Sequence, residues 1–192
     1  MTLSKRIEEK ASSLLKQENI STKDLINFLA SIDIQRSDIE DYIEPDPKHP
    51  YGRRVLLNHP KLEIMLATWT RDFPCAPHDH GGSKSAIRVL RGQSHHRLFH
   101  IKEQTLKEVF SEKKSTGDIL TCAPDQVHAM GDDGLEESLV TLHAYSGYIP
   151  DMLVYNDSET LVVSGACGAW IPENSVDILR TEKGHFTRKE LN

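Results

Sequence analysis

The first forty or so residues alternate apolar and polar positions with the period of an amphipathic helix. Apolar residues recur at intervals of three and four positions from Leu3 to about Ile43, which predicts two helices with a break near residues 18–21. The sequence "STKD" places Ser21 three residues before Asp24, close to the pattern of a capping box at a helix N-terminus. A third, short helix is expected over "RSDIEDYI".

From Tyr51 the period of the pattern changes from about 3.6 residues to two. Pro45, Pro47 and Pro50 stop helical propagation before this point. Eight or so short alternating runs follow, divided by polar turn sequences. Many short strands with polar turns are typical of a sandwich or barrel rather than of a parallel α/β sheet.

Length and composition fit one mainly β domain with a helical addition. The chain has 192 residues, of which 38% are hydrophobic and 27% charged, as in ordinary globular proteins. We expect N-terminal helices over residues 1–50, packed on a barrel over residues 51–170. The polar segment 171–192 is expected to be a mostly irregular C-terminal tail that has at most a helical turn.

Charge and cysteine content exclude several classes of partner. The net charge is −6 and the basic residues are dispersed, so we expect no nucleic acid and no anionic membrane surface as partner. The start of the sequence has no apolar signal core, and no apolar run approaches the roughly 18 residues of a spanning helix, so a cytoplasmic location is expected. Three cysteines without close pairing predict reduced thiols. The sequence does not predict an oligomeric state.

Three histidines form a candidate metal site. In "PHDHGG", His78 and His80 are two positions apart, so on a strand they face the same side while Asp79 faces away. Such a pair alone is more often part of a surface or core than of a metal site. His128, in "GDILTCAPDQVHAMGD", follows a predicted strand and tight turn that deliver its side chain inward. Imidazole suits zinc, copper, iron and nickel, so the ligand type does not choose the metal.

These two segments resemble the two sequence motifs of the cupin superfamily, whose fold is a small jelly-roll barrel. The first motif supplies the His-x-His pair and ends at Gly92, and the second supplies a further histidine. The resemblance implies that His78, His80 and His128 are metal ligands. Cupins typically have a ligating glutamate where this chain has Ser85, so we expect three neutral imidazoles and no carboxylate.

Five ordered motifs between Tyr51 and Tyr145 resemble the cysteine dioxygenase family, in its bacterial type. They are Tyr-x-Arg at residues 51–53, Trp69, the His-Asp-His segment, Val-His at residues 127–128 and Leu-His-x-Tyr at residues 142–145. The resemblance implies a non-haem iron(II) enzyme. It would add both atoms of O₂ to the sulfur of cysteine and yield cysteine sulfinate. The implied cofactor is Fe(II), and the implied partners are a small thiol and O₂.

The same resemblance implies a substrate pocket. Arg53 would pair with the substrate carboxylate, because a guanidinium presents a planar fork to it, and the neighbouring Arg54 should face the opposite side. Tyr51 is expected beside Arg53 in the pocket. Trp69 is either part of the pocket or simple barrel core.

A catalytic strand is implied as well. Thr141, His143 and Tyr145 alternate, so all three would face the interior, with hydroxyl, imidazole and phenol bonded in series. His143 and Tyr145 would be catalytic and Thr141 would support them. Animal members of the family have a cysteine at the position of Ser85 that is crosslinked to the tyrosine. Since serine cannot form that crosslink, Tyr145 is expected to remain an unmodified phenol.

Other functions remain open from the sequence. The substrate could be 3-mercaptopropionate or mercaptosuccinate, although the mercaptopropionate branch usually replaces the pocket arginine by glutamine, so Arg53 favours cysteine. A non-catalytic ligand-binding cupin is a second alternative. A zinc hydrolase or isomerase is a third, and it would need a general base, for which the sequence offers only His143. His95, His96 and His100 are expected to face solvent on a polar alternating strand.

Overall fold

N-terminal helices pack against one face of a barrel of eleven strands in this computed structural model, which describes residues 1–134 and 137–191. The helices are α1 (Leu3–Leu15), α2 (Thr22–Ser31), α3 (Arg36–Ile39) and α4 (Arg188–Leu191). The strands are β1 (Tyr51–His59), β2 (Leu62–Trp69), β3 (Lys84–Arg91), β4 (Gln93–Lys102), β5 (Thr105–Ser115), β6 (Ile119–Cys122), β7 (Val127–Asp132), β8 (Val140–Ser146), β9 (Asp151–Tyr155), β10 (Glu159–Ser164) and β11 (Ile178–Lys183). Short 3-10 turns at Glu40–Tyr42 and Ser175–Asp177 complete these elements.

The N-terminal helices begin at side chains that satisfy their free amide groups. The Thr2 hydroxyl accepts a hydrogen bond from the Lys5 amide at the start of α1. At the start of α2, Ser21 and Asp24 form the reciprocal pair of a capping box, which confirms the prediction from "STKD". Both helices bury one apolar stripe, as their three-and-four spacing predicts.

The strands form two antiparallel layers around one interior. The first layer has the order β1-β2-β8-β3-β6. The second consists of the sheets β5-β4-β7 and β11-β10-β9. His78 joins these two sheets, since it forms antiparallel bridges to His128 in β7 and to Val154 in β9. The non-sequential neighbours β2-β8-β3 are the crossover of a jelly roll, so the predicted mainly β jelly-roll barrel with an N-terminal helical segment is confirmed.

The central strands of the first layer are buried on both faces. In β2, Leu62, Ile64 and Leu66 pack against the helices, whereas Met65 and Trp69 belong to the barrel interior. The same alternation runs through β8, whose outward residues also lie under the helices. Burial on both faces explains why β2 reads as a nearly continuous apolar run.

The tail after Trp170 contains regular structure, so the expectation of a mostly irregular segment is wrong there. Ile178–Lys183 pairs with β10 as strand β11, which was not expected from the sequence, whereas the single turn of α4 at Arg188–Leu191 agrees with the helical turn that the sequence allowed. Most of the side chains of β11 are exposed, so the strand carries little apolar periodicity that could have indicated it. The division of the chain at residues 50 and 170 stays a prediction. Among the described residues, no helix is both long and apolar enough to cross a membrane.

Replacing Leu142 by alanine tests the contact between the helices and the barrel. Leu142 is fully buried beneath the helices, so we expect the free energy of unfolding to fall by about 2–5 kcal/mol. Val109→Ala on β5 is the control, because this valine is 49% exposed and its truncation leaves no cavity. Urea denaturation measures both variants. Equal stability of the two would contradict the described packing.

Candidate metal centre and pocket

Three imidazoles meet inside the barrel. His78 and His80 come from the segment between β2 and β3, and His128 comes from β7. One ring nitrogen of each lies within 4.8 Å of the others, and the Nε2 atoms of His80 and His128 are 3.1 Å apart. The backbones of His78 and His128 exchange two hydrogen bonds, with N–O distances of 2.9 and 3.0 Å. The sequence-predicted triad is therefore brought together by main-chain pairing.

The remaining nitrogen of each ring has its own partner. The Nδ1 atom of His78 is 2.9 Å from the Ala76 carbonyl, and that of His80 is 3.1 Å from the Ser85 hydroxyl. A carbonyl only accepts hydrogen bonds, so His78 carries its proton on Nδ1 and presents the lone pair of Nε2. Such outer contacts fix the tautomer and the ring orientation of a metal ligand.

The donor set fits a divalent transition metal. Burial lowers the pKa of His78 to about 4 and holds the pKa of His80 and His128 well below the usual value. All three rings are therefore neutral at pH 7, which is the form that binds metal. Nitrogens about 2.0–2.1 Å from one ion lie about 3 Å from each other, which matches the 3.1 Å between His80 and His128.

His96 lies in the interior, so the expectation that it faces solvent is wrong. It is 2% exposed, and its Nε2 is 3.0 Å from Nδ1 of His128. Strand β4 pairs with β7 so that His96 lies opposite Met130, in phase with the buried Ser94. Of the two other histidines in the strand, His95 is half-buried and His100 is exposed. Because β4 is rich in polar residues, its sequence does not show which of them face the interior.

His96, Cys122 and His128 form a second cluster of possible donors. Burial raises the pKa of Cys122 to about 12, and its Sγ is 3.2 Å from Nδ1 of His128. This cluster also lies on the Nδ1 side of His128. Among the described residues, the wall of the adjoining pocket includes His78 and His80 but neither His96 nor Cys122. His128 is not part of that wall either, so the pocket adjoins the cluster of three histidines on the side of His78 and His80.

The inward side chains of β8 form the expected chain of hydrogen bonds. Thr141 Oγ1 is 2.7 Å from His143 Nε2, and His143 Nδ1 is 2.9 Å from Tyr145 Oη. The Trp69 indole donates to Thr141 Oγ1 over 2.8 Å. Burial lowers the pKa of His143 to about 3 and raises that of Tyr145 well above its usual value, so both are neutral.

Because the Trp69 indole can only donate, it fixes the direction of the hydrogen bonds in this series. Thr141 accepts from Trp69, so its own proton goes to His143 Nε2, the other partner that the described contacts give it. His143 then carries its proton on Nδ1 and donates to Tyr145. The phenol proton of Tyr145 is left to point into the pocket.

Arg53 lies in the pocket but is already paired. Its Nη2 is 2.5 Å from Oε1 of Glu63, its Nε is 3.2 Å from the sulfur of Met65, and its Nη1 is 3.5 Å from the Gly165 carbonyl. Burial favours the neutral guanidine, but the charge and the hydrogen bond of Glu63, together with the neighbouring phenols, outweigh this and raise the pKa of Arg53. Arg54 points the other way, to Glu44, as expected. Nη1 is thus the most weakly held donor of the Arg53 fork.

The pocket beside the histidines is small. Its cavity volume is about 30 Å³, so only a small ligand fits against these groups. The Tyr51 hydroxyl accepts from the Ala169 amide at 3.0 Å and keeps its own proton for a ligand. The wall consists of Tyr51, Arg53, Glu63, Met65, His78, His80, Tyr145, Ile149, Met152, Gly165 and Cys167.

Five predicted site residues lie outside this wall, namely His128, Thr141, His143, Trp69 and Ser85. Trp69 contacts Thr141 and the ring of Tyr51, with 4.8 Å between the ring centroids, so it supports the pocket from outside. Ser85 lies behind His80. Direct substrate contact by Trp69 stays a prediction.

Sequence reasoning missed Glu63, although a signal was present. In β2 it shares the inward phase of Met65 and Trp69, so a carboxylate at this position has to face the interior. It is 6% exposed.

Sequence reasoning also missed the contact that holds the metal segment, residues 78–80, which contains two of the candidate ligands. Asp79, between the two ligands, accepts from Arg188 Nε at 2.8 Å and Nη2 at 3.0 Å, and Arg188 also bonds Asp151 at 2.6 Å. The amides of Gly81 and Leu153 donate to Asp79 as well. No local signal links residues 109 positions apart.

Comparison with known proteins gives a family match. Residues 3–158, well over half of the chain, match the family model described as cysteine dioxygenase type I. Similar solved structures include an uncharacterised conserved protein with a double-stranded β-helix domain from Klebsiella pneumoniae, at 16% identity and a TM-score of 0.47, covering 65% of this chain and 99% of that chain. KdgF from Halomonas sp. is 19% identical with a TM-score of 0.45, covering 57% of this chain and 92% of that chain. At these identities neither structure assigns an activity.

Replacing Arg188 by alanine tests whether its pair with Asp79 stabilises the metal segment. The buried Asp79 carboxylate loses its cationic partner, so we expect the free energy of unfolding to fall by roughly 2 kcal/mol or more and Co(II) to bind less tightly. Thermal denaturation and absorption titration with Co(II) measure the two effects. Lys189→Ala is the control, because Lys189 pairs only at the surface with Asp125. Unchanged Co(II) affinity in Arg188→Ala would contradict the inferred role.

Proposed function

This chain belongs to the cysteine dioxygenase type I family, and on that premise we propose that it is a non-haem iron(II) thiol dioxygenase that converts cysteine to cysteine sulfinate. The family consists of thiol dioxygenases with the cupin fold. The observation that carries the proposal is a cluster of three neutral imidazoles beside one small pocket, whose wall includes two of them, His78 and His80, together with the Arg53 guanidinium and the Tyr145 phenol. A small thiol carboxylate and O₂ are the proposed partners.

His78, His80 and His128 would hold the iron. Iron(II) bound there would supply the redox chemistry, since it binds thiolate sulfur and activates dioxygen. The three ligands are neutral and Ser85 replaces a carboxylate, so the protein adds no negative charge to the ion. A cationic centre of this kind favours the thiolate form of the substrate at neutral pH.

Arg53 and Tyr51 would bind the substrate carboxylate. Glu63 holds Nη2 of Arg53, so the carboxylate approaches the loosely held Nη1 rather than the whole fork. The Tyr51 hydroxyl supplies a second donor on the same wall. This end-on contact replaces the symmetric bidentate pairing expected from the sequence.

Tyr145 would orient oxygen or sulfur through its phenol proton. The series from Trp69 through Thr141 and His143 satisfies the phenol oxygen from behind, which leaves the proton for the pocket. The ring of Tyr145 is 5.1 Å from that of His80, beside the proposed iron. With Ser85 opposite it in β3, the phenol stays unmodified.

The other assignments stay predictions. Dioxygenation of 3-mercaptopropionate or mercaptosuccinate would use the same residues, and Arg53 favours cysteine among them. Ligand binding without catalysis is an outcome that the following experiment detects. The cytoplasmic location also stays a prediction.

Oxygen uptake by iron-loaded protein tests the proposed function. The protein is loaded with Fe(II) without oxygen and then mixed with oxygenated cysteine, 3-mercaptopropionate or mercaptosuccinate. We expect uptake with cysteine, and cysteine sulfinate as the product in mass spectrometry. No uptake with any thiol, at stoichiometric iron, would reject the dioxygenase. Uptake with mercaptosuccinate alone would keep the chemistry and overturn the substrate.

Arg53→Ala tests the carboxylate contact. Loss of a partly buried charged partner costs about 2–5 kcal/mol, and because each 1.4 kcal/mol is a factor of ten, we expect KM for cysteine to rise about thirtyfold or more. Arg54→Ala is a matched control, since the neighbouring guanidinium is exposed and pairs with Glu44 outside the pocket. An unchanged KM in a folded Arg53→Ala protein would remove Arg53 from the substrate site.

A further inference from the structure

The pocket contains one negative charge that the proposed reaction does not use. Glu63 is buried, lines the cavity and pairs with Arg53 over 2.5 Å. In the sheet it lies directly across from Tyr145, which in turn lies across from Ser85. The carboxylate is thus held by strand pairing beside the proposed reactive groups.

Arg53 and Glu63 are the only charged side chains on the cavity wall among the residues that the structure describes. Their charges cancel, so the side chains of the wall add no surplus positive charge to that of a metal ion held by the histidines. A substrate carboxylate can bind the Nη1 end of Arg53, but a second carboxylate would meet the buried Glu63 at close range. Like charges repel strongly where water is excluded.

From this arrangement we propose that Glu63 determines the charge class of the substrate. It favours thiol carboxylates that also carry an amino group, and it disfavours thiols with a second carboxylate. The inference rests on the proposed function for the identity of the pocket as a thiol site. It adds a selecting residue to Arg53, which by itself attracts any carboxylate.

The amino group of the favoured substrate gains from the same charge. In an α-amino acid the amine and the carboxylate are on the same carbon, so an amine lies close to the residue that binds the carboxylate. Here that residue is Arg53, and Glu63 is hydrogen-bonded to it. A carboxylate accepts hydrogen bonds from an amine or ammonium group, whereas it has no donor to offer to a second carboxylate. Cysteine satisfies both conditions, 3-mercaptopropionate lacks the amine, and mercaptosuccinate adds the second carboxylate.

A purely structural role of Glu63 predicts a different outcome. If the carboxylate only neutralises buried Arg53, its replacement changes stability and affects every thiol alike. If it selects by charge, its replacement changes the ratio of affinities between thiols. The ratio therefore separates the two roles.

Binding of three thiols to Co(II)-loaded protein, without oxygen, tests the inference. The thiolate-to-cobalt absorption band gives Kd for L-cysteine, 3-mercaptopropionate and mercaptosuccinate. In the wild type we expect affinity to decrease in that order. Glu63→Gln keeps the shape and an acceptor for Arg53, and we expect it to reduce the preference for cysteine over mercaptosuccinate by about tenfold or more. Glu44→Gln, which neutralises the exposed partner of Arg54, should leave the preference unchanged.

The outcomes are distinct from those of the oxygen-uptake experiment. Wild-type turnover with an unchanged preference in Glu63→Gln would overturn this inference and leave the dioxygenase intact. Altered preference without turnover would reject the dioxygenase and support selection by Glu63. If Glu63→Gln does not fold, the order of the three thiol affinities in the wild type is the test. Tighter binding of mercaptosuccinate than of cysteine then overturns the inference. Failure of the wild type to bind any of the three thiols also overturns it.

Discussion

Two backbone hydrogen bonds between His78 and His128 hold together the two segments that supply all three imidazoles. The same residue, His78, bridges to Val154 and so joins the two sheets of the second layer. The candidate metal centre therefore lies where the barrel closes, and its ligand spacing follows from main-chain geometry. Contacts with the Ala76 carbonyl, the Ser85 hydroxyl and the His96 ring then fix the orientation of the three imidazole rings.

The polar interior is possible because the helices bury apolar residues elsewhere. Alternate residues of β2 and β8 face α1 and α2, and each fully buried aliphatic side chain there contributes roughly 1.5–3 kcal/mol. The inward positions of the same strands are thus free to hold Glu63, Thr141 and His143. Each of these has a hydrogen-bond partner, which avoids the cost of an unpaired buried polar group.

The parts of the site that depend on local spacing could be predicted from the sequence. The His-x-His pair and the alternation of Thr141, His143 and Tyr145 fix which side chains share a face, and the structure has them so. His96 could not be placed, because the phase of a polar strand such as β4 is decided by its partner β7. The contact of Asp79 with Arg188 is purely tertiary, since it joins residues 109 positions apart.

That contact gives the C-terminal segment a part in the site, although it lies beyond the residues that match the family. The segment is itself fixed, because His185 accepts from the Leu106 amide at 2.9 Å and the Tyr155 hydroxyl donates to the Phe186 carbonyl at 2.9 Å. These bonds bring Arg188 to the Asp79 carboxylate, which lies between the candidate ligands His78 and His80. A carboxylate at that position needs a cation or several amides when it is buried, and here it has both. Arg188 therefore supports the segment of His78 and His80 through Asp79, from a position outside the residues that match the family model.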